Sequence, residues 1–404
     1  MIRGLTSVGA AFVILLVGWC AAEQPAARTN MKKVAKDSNA FAFDLYGRLR
    51  HQKGNLFFSP NSIDLALAMT YEGARGDTSG QMAKVLHYTL DRSELNEGFG
   101  ALLREFNGAG KKRPYELRVA NALWGQTGYA FLPDYLTTTR QYYGAGLRLV
   151  DFKDDTEGAR ATINRWVEDQ TKNKIRDLIA RGVLDSTTRL VLTNAIYFKG
   201  TWQHQFDKNT TRDAPFHTSR DKDVNKVQMM HQTGHFRYLR NGDLQILEQP
   251  YKGGDLSMFV LLPRALDGLA QLEEKLNAGA LDSWLGKMRP TEVRVSLPRF
   301  RMTRELSLKD MLSNMGMPLP FSGAADFSGM DGTRNLQIAA VIHKAFVDVN
   351  EEGTEAAAAT GVIMTLSAVL NEEQFQADHP FVFLIRDNRS GSILFLGRVE
   401  NPVE

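Results

Sequence analysis

Cysteine is nearly absent: Cys20 is the single one among 404 residues, and it lies within an apolar N-terminal leader. If that leader is removed, the mature chain has no disulfide, no thiol nucleophile and no cysteine metal site, so its stability must come from a packed core. Histidine is also sparse, with eight residues, and the spacing of His217, His231 and His235 makes no convincing metal set. No cofactor is implied. The local signatures of common enzymes are missing as well. There is no His-Glu-x-x-His, no Gly-x-Ser-x-Gly elbow, no phosphate-cradling Gly-Lys-Ser/Thr loop and no dinucleotide fingerprint. Only a Ser, His and Asp set assembled in space would leave an enzyme reading open. A strong charge bias is lacking too: the formal net charge of +3 points to no nucleic-acid partner.

Long apolar runs are equally scarce. The run 8–19 is too short to span a membrane comfortably. With Met1-Ile2-Arg3 before it and Ala21-Ala22 after it, it reads as a secretory signal peptide over residues 1–22. An uncleaved membrane anchor is the competing reading. Bulky Trp19 before Cys20 argues against a lipid anchor. The sequence therefore predicts export, with release, a periplasmic location or surface attachment left open.

What is present is ordinary globular composition, 43% hydrophobic and 24% charged, rich enough for a large core. No repeat and no internal linker divides it, so one domain over 39–404 is expected, with 23–38 as a linker and the start of a first helix. Residues 23–30 are polar and read as that linker. Phe41, Leu45 and Leu49 have helical spacing, which predicts a first helix over 39–52. The run 65–69 predicts a buried helix, capped by Ser59 or Asn61 with Pro60 in its first turn. Strands are expected over 117–124 and 190–198, the second fully buried. An amphipathic helix is expected from 162 through 178. Short strands at 245–248, 257–263 and 292–298 suggest a further sheet, and 306–315 reads as a helix.

One stretch near the C-terminus is ambiguous. From Glu351 to Ala359 it is rich in Glu and Ala, strong helix formers. Read with period two, Thr354, Ala356, Ala358, Thr360, Val362, Met364 and Leu366 share one small or apolar face. Glu355, Ala357, Ala359, Gly361, Ile363, Thr365 and Ser367 share the other. As a strand, residues 353–367 would reach about 50 Å at ~3.3 Å per residue, far beyond the usual strand. Gly353 offers a pivot free of a Cβ penalty. Taken alone, the stretch fits an exposed Ala-rich helix and a two-state element equally well.

Its flanks decide. His343-Lys344-Ala345-Phe346-Val347-Asp348-Val349-Asn350-Glu351-Glu352-Gly353-Thr354-Glu355-Ala356-Ala357 precedes, and Asp378-His379-Pro380-Phe381-Val382-Phe383-Leu384-Ile385-Arg386 follows. With Asn55-Leu56-Phe57-Phe58-Ser59-Pro60 far upstream and Ile393 to Pro402 at the end, the chain from about Asn39 closely resembles the serpin family, with an inhibitory hinge. The resemblance implies an α+β fold: helices packed on a large central mixed β-sheet, two further sheets, and an exposed reactive-centre loop at about 351–376. It implies a suicide-substrate inhibitor of serine, and sometimes cysteine, proteases, with a covalent protease complex as partner and a monomer as its own state. The alternative is a non-inhibitory serpin acting as carrier, chaperone or storage protein.

The same resemblance assigns residues. Glu351, Glu352, Gly353, Thr354, Glu355, Ala356, Ala357, Ala358 and Ala359 form the hinge. Ser59, Ser62, Asn194 and His343 form a polar shutter, and Trp202 stands at the top of the sheet where insertion begins. The reactive bond falls at Ser367-Ala368, or one residue earlier at Leu366-Ser367. The first register suits an elastase-like pocket and the second a chymotrypsin-like one. Some serpins bind sulfated polysaccharide near the helix before Lys111-Lys112-Arg113, but three basic residues in a loop read as a solvated turn rather than a polyanion site.

Overall fold

In the computed structural model, residues 25–107, 113–144, 146–218, 223–354 and 373–404 are described. Along the chain the elements are α1 (Pro25–Leu49), β1 (Leu56–Phe58), α2 (Pro60–Gly73), α3 (Gly76–Val85), α4 (Arg92–Phe106), β2 (Tyr115–Gln126), α5 (Pro133–Tyr143), β3 (Arg148–Val150), α6 (Thr156–Gln170) and β4 (Leu190–Thr201). They continue as β5 (Arg212–His217), β6 (Asp223–Asn241), β7 (Leu244–Pro250), β8 (Leu256–Pro263), α7 (Leu269–Lys275), α8 (Ala278–Lys287), β9 (Arg289–Pro298) and β10 (Phe300–Ser307). The chain closes with α9 (Lys309–Met315), α10 (Ser328–Asp331), β11 (Ala340–Asn350), β12 (Gly353–Thr354), β13 (Glu373–Gln376), β14 (Phe381–Asp387) and β15 (Ile393–Val399).

The central sheet is mixed, in the order β10-β11-β12-β4-β2-β3. The run 190–198 is buried on both faces. Leu190, Leu192, Ile196 and Phe198 join the main core, whereas Val191, Ala195 and Tyr197 join a second cluster with Ile163 and Val167 of α6. That two-sided burial explains why the strand reads as continuous apolar sequence rather than an alternation. Helix α2 lies in the main core beneath this sheet. Ser59 is its cap, its side chain accepting from Ser62 N–H, with Pro60 in the first turn.

The strands of the two further sheets are linked by hydrogen bonds into one network of nine. β6, 19 residues long, joins them by pairing in turn with β5, β9 and β7, where an ordinary strand of about 5–6 residues would have ended. Two expectations need correction. The linker expected over residues 23–30 is helix from Pro25 onward, because α1 begins there. Its apolar stripe starts early, with Met31, Val34 and Ala35 buried. Gly98 of α4 lacks the side chain that would strike Val34 and the carbonyl of Asn30, so the two helices close together. The helix expected over 306–315 begins only at Lys309, since Leu306 belongs to β10 opposite His343. Residues 1–22 lie outside the described set.

Candidate functional site

The site is assembled where β11 and β4 part. From Ala340↔Val191 to Phe346↔Tyr197 the two strands pair directly and in parallel. Above that point β11 runs on to Asn350, turns through Glu351-Glu352, and returns as β12. β12 is antiparallel to both neighbours: Thr354 faces Val349 of β11 and Gly200 of β4, and Gly353 faces Asn350 and Thr201. Gly353 and Thr354, the third and fourth residues of the expected hinge, therefore already occupy a strand position inside the sheet.

Gly353 is required there. Its φ is 150°, and a Cβ would stand 2.0 Å from the carbonyl oxygen of Gly200, far inside van der Waals contact. Thr354 is completely buried, and its hydroxyl is 2.7 Å from the Tyr251 hydroxyl. Tyr251 stacks on Trp202, with ring centroids 4.5 Å apart and planes within 20°. Trp202 itself touches the hinge turn through two bonds. Its backbone N–H donates to Glu352 O, and its indole Nε1–H donates to Asn350 O, both at 2.9 Å.

The turn's carboxylates are held by charge. Glu351 is buried, and both its oxygens accept from Arg299 Nε at 2.8 Å while Thr211 also donates to it. Burial works against its ionisation, but the hydrogen bonds from Arg299 and Thr211 more than offset this and hold the carboxyl below its ordinary value. Glu352 pairs with Lys208, and Gln205 Nε2 donates to its carbonyl at 3.2 Å.

Lower in the seam lies a buried polar cluster. His343 of β11 and Asn194 of β4 are register partners. Ser59 N–H donates to His343 Nε2 at 3.1 Å, so Nδ1 carries the ring proton and donates to Asn194 Oδ1. Asn194 Nδ2 donates to Ser62 Oγ at 2.7 Å and to Asn121 Oδ1. Asn121 Nδ2 donates back to Ser62 O at 2.9 Å. Burial drives the imidazole down to about 3, which keeps it neutral.

The structure thus brings Ser59, Ser62, Asn194 and His343 into one cluster, and places Trp202 against Glu351, Glu352, Gly353 and Thr354. Sequence reasoning missed Asn121, Tyr251 and Arg299. Asn121 alone had a signal, an amide inside the otherwise apolar run 119–124. Glu355, Ala356, Ala357, Ala358, Ala359, Leu366, Ser367 and Ala368 lie outside the described residues, as do Lys111 and Lys112. Arg113 pairs with Glu105 at 2.8 Å and with Asp255, so its charge is already engaged. Among the described residues no group of three His, Cys, Asp or Glu side chains could hold a metal, and no helix is long and apolar enough to cross a membrane.

Comparison with known proteins agrees with this geometry. Residues 36–402 match the family model described as Serpin (serine protease inhibitor). A leukocyte elastase inhibitor from Bos taurus is 46% identical over 385 residues, covering 92% of this chain and 100% of the relative. Among solved structures, uncleaved ovalbumin superposes with a TM-score of 0.82 at 33% identity, covering 91% of this chain and 100% of the other. Human thyroxine-binding globulin complexed with thyroxine gives 0.85 at 31%, covering 93% and 100%.

Proposed function

The chain belongs to the serpin family, protease inhibitors rather than enzymes, and from that premise we propose that it traps serine proteases as a suicide substrate. The carrying observation is the seat of Gly353 and Thr354 between β11 and β4. A protease that cuts the loop and remains on it as an acyl-enzyme frees the following residues to zip downward from that seat. The seven parallel pairs from Ala340↔Val191 to Phe346↔Tyr197 must separate, and the His343–Asn194 bond across the seam with them. Each backbone bond added on insertion is worth about 0.5–1.5 kcal/mol, and burial of the small-to-apolar face adds more. The uncleaved fold is then a kinetic trap, stable by its barrier. The inserted strand drags the tethered protease away and deacylation fails.

The loop's Leu366-Ser367-Ala368 suits a chymotrypsin- or elastase-like target, and no Arg or Lys lies between Glu355 and β13 to attract a trypsin-like one. The relatives' name, leukocyte elastase inhibitor, supports the same class. Export through the leader at 1–22, a single mature domain and a monomeric state complete the proposal.

The test is a denaturing gel of the mature protein mixed with each protease class, with mass spectrometry of the released peptide. A covalent band with a 37-residue C-terminal fragment beginning at Ala368 supports inhibition at Ser367-Ala368, and a fragment beginning at Ser367 moves the bond to Leu366. Clean cleavage without a covalent band favours the carrier, chaperone or storage reading.

A further inference from the structure

We infer that Tyr251 is the positioning residue that keeps the hinge seated in the uncleaved protein, through the hydrogen bond between its hydroxyl and that of Thr354. The bond is 2.7 Å long and fully buried, and Tyr251 lies 103 residues from Thr354 in the chain. The ring itself is fixed on several sides. It stacks on Trp202, meets Phe198 edge-on at 4.9 Å and 85°, and its Cδ1 lies 2.8 Å from where a Cβ on Gly200 would be. Its backbone N–H donates to Leu256 O. The phenol therefore has one place for its hydroxyl, and Thr354 fills it. Burial pushes the phenol's ionisation far above its ordinary value, so the bond keeps both protons at any physiological pH.

The consequence for inhibition rests on the function proposed above. β12 pairs with Val349 and Gly200, the partners it would keep as the top of a complete strand. Thr354 need not move when the loop inserts, and the bond with Tyr251 holds before, during and after. Insertion then begins from a two-residue nucleus already in register, avoiding the cost of closing and aligning a free loop. The ion pairs of Glu351 and Glu352 fix the turn but end one residue short of Gly353. Among the described residues, only the Tyr251–Thr354 bond acts on the seated pair through a side chain.

The test compares Tyr251→Phe, which keeps the ring and its stacking, with Thr354→Val, which keeps the shape of the residue it replaces. Hydrogen exchange of the uncleaved protein reads seating directly, with no protease present. Losing one buried neutral hydrogen bond should speed exchange across Gly353-Thr354 about 5-fold. Each variant should show it, and the double variant should be no worse than either single one, as expected of a pair acting as a unit. In protease assays the ratio of cleaved free chain to covalent complex should rise in the same order. Unchanged exchange in both variants, or additive effects in the double variant, would overturn the inference. If the parent chain forms no covalent complex while the exchange result holds, the inhibitory reading fails and the seating role of Tyr251 stands.

Discussion

Two buried groups should give this protein opposed proton linkages, and Asp64→Asn separates them. Asp64 of α2 is wholly buried, accepting from Ser38 and from Tyr88 at 2.7 Å. Burial pushes its carboxyl up to about 7, with nearby Asp37 adding to the effect. A carboxyl raised in the folded state stabilises fully below its unfolded value near 4, and that contribution is lost as pH rises through 7. His343 works the other way. Held down to about 3, it contributes stability that is complete above its unfolded value near 6.5 and drains away as pH falls. Each pH unit is worth about 1.4 kcal/mol per group. From pH 7 to pH 5, Asp64, half titrated at the start, adds about 2.3 kcal/mol and His343 removes about 2, a net change below about 1 kcal/mol for these two groups. Asp64→Asn leaves the His343 loss exposed. At about 2.1 cal/mol/K per residue, a chain of about 380 residues shifts its midpoint by roughly 1.2 °C per kcal/mol. The variant should therefore lose about 3 °C relative to the parent between pH 7 and pH 5, in melts at one heating rate. Absolute stability is less diagnostic, because an amide can offer Ser38 and Tyr88 only one oxygen. Parallel pH profiles for the two proteins would refute the argument.

His343→Gln should show the opposite sign, gaining about 2 °C over the parent's trend across that range. Gly353→Ala cannot keep the hinge seat, since its Cβ would overlap Gly200 O at 2.0 Å; mass-resolved hydrogen exchange across 350–354 should show lost protection. Arg299→Ala leaves the buried Glu351 carboxylate with Thr211 alone, and should cost about 2 kcal/mol by urea unfolding. That cost should shrink only as pH falls through the lowered range of the parent's own Glu351 carboxyl, where the group becomes protonated in variant and parent alike. Thr354→Arg places a charge where exposure is nil and should convert inhibitor to substrate on the gel. Covalent complex at full stoichiometry would rule out insertion as the trap.

Elements whose evidence lies in one stretch of sequence were readable. Ser59 and Pro60 announce α2, and the apolar run 190–198 announces a strand buried on both faces. Boundaries failed where two patterns met. Met31, Val34 and Ala35 carry the stripe of α1 upstream of Phe41, but the polar residues over 23–30 suggested a linker. Leu306 and Leu308 alternate as a strand does, immediately before helical α9.

The site divides along the same line for a physical reason. Glycine at 353 and a small residue at 354 announce themselves, because each must be what it is for local steric reasons. Their partners do not. Tyr251 follows β7 of the other sheet and Arg299 sits between β9 and β10, each an ordinary residue in its own surroundings, while Asn121 on β2 offers only its amide as a signal. What makes them functional is register. β4 brings Gly200 beside Thr354 and Asn194 beside His343, so a single strand fixes both the top of the seam and the cluster below it. A slip of one residue in β4 would turn every side chain to the opposite face, separating Asn194 from His343 and carrying Trp202 away from Tyr251 together. The two clusters are therefore coupled through the alignment of one buried strand.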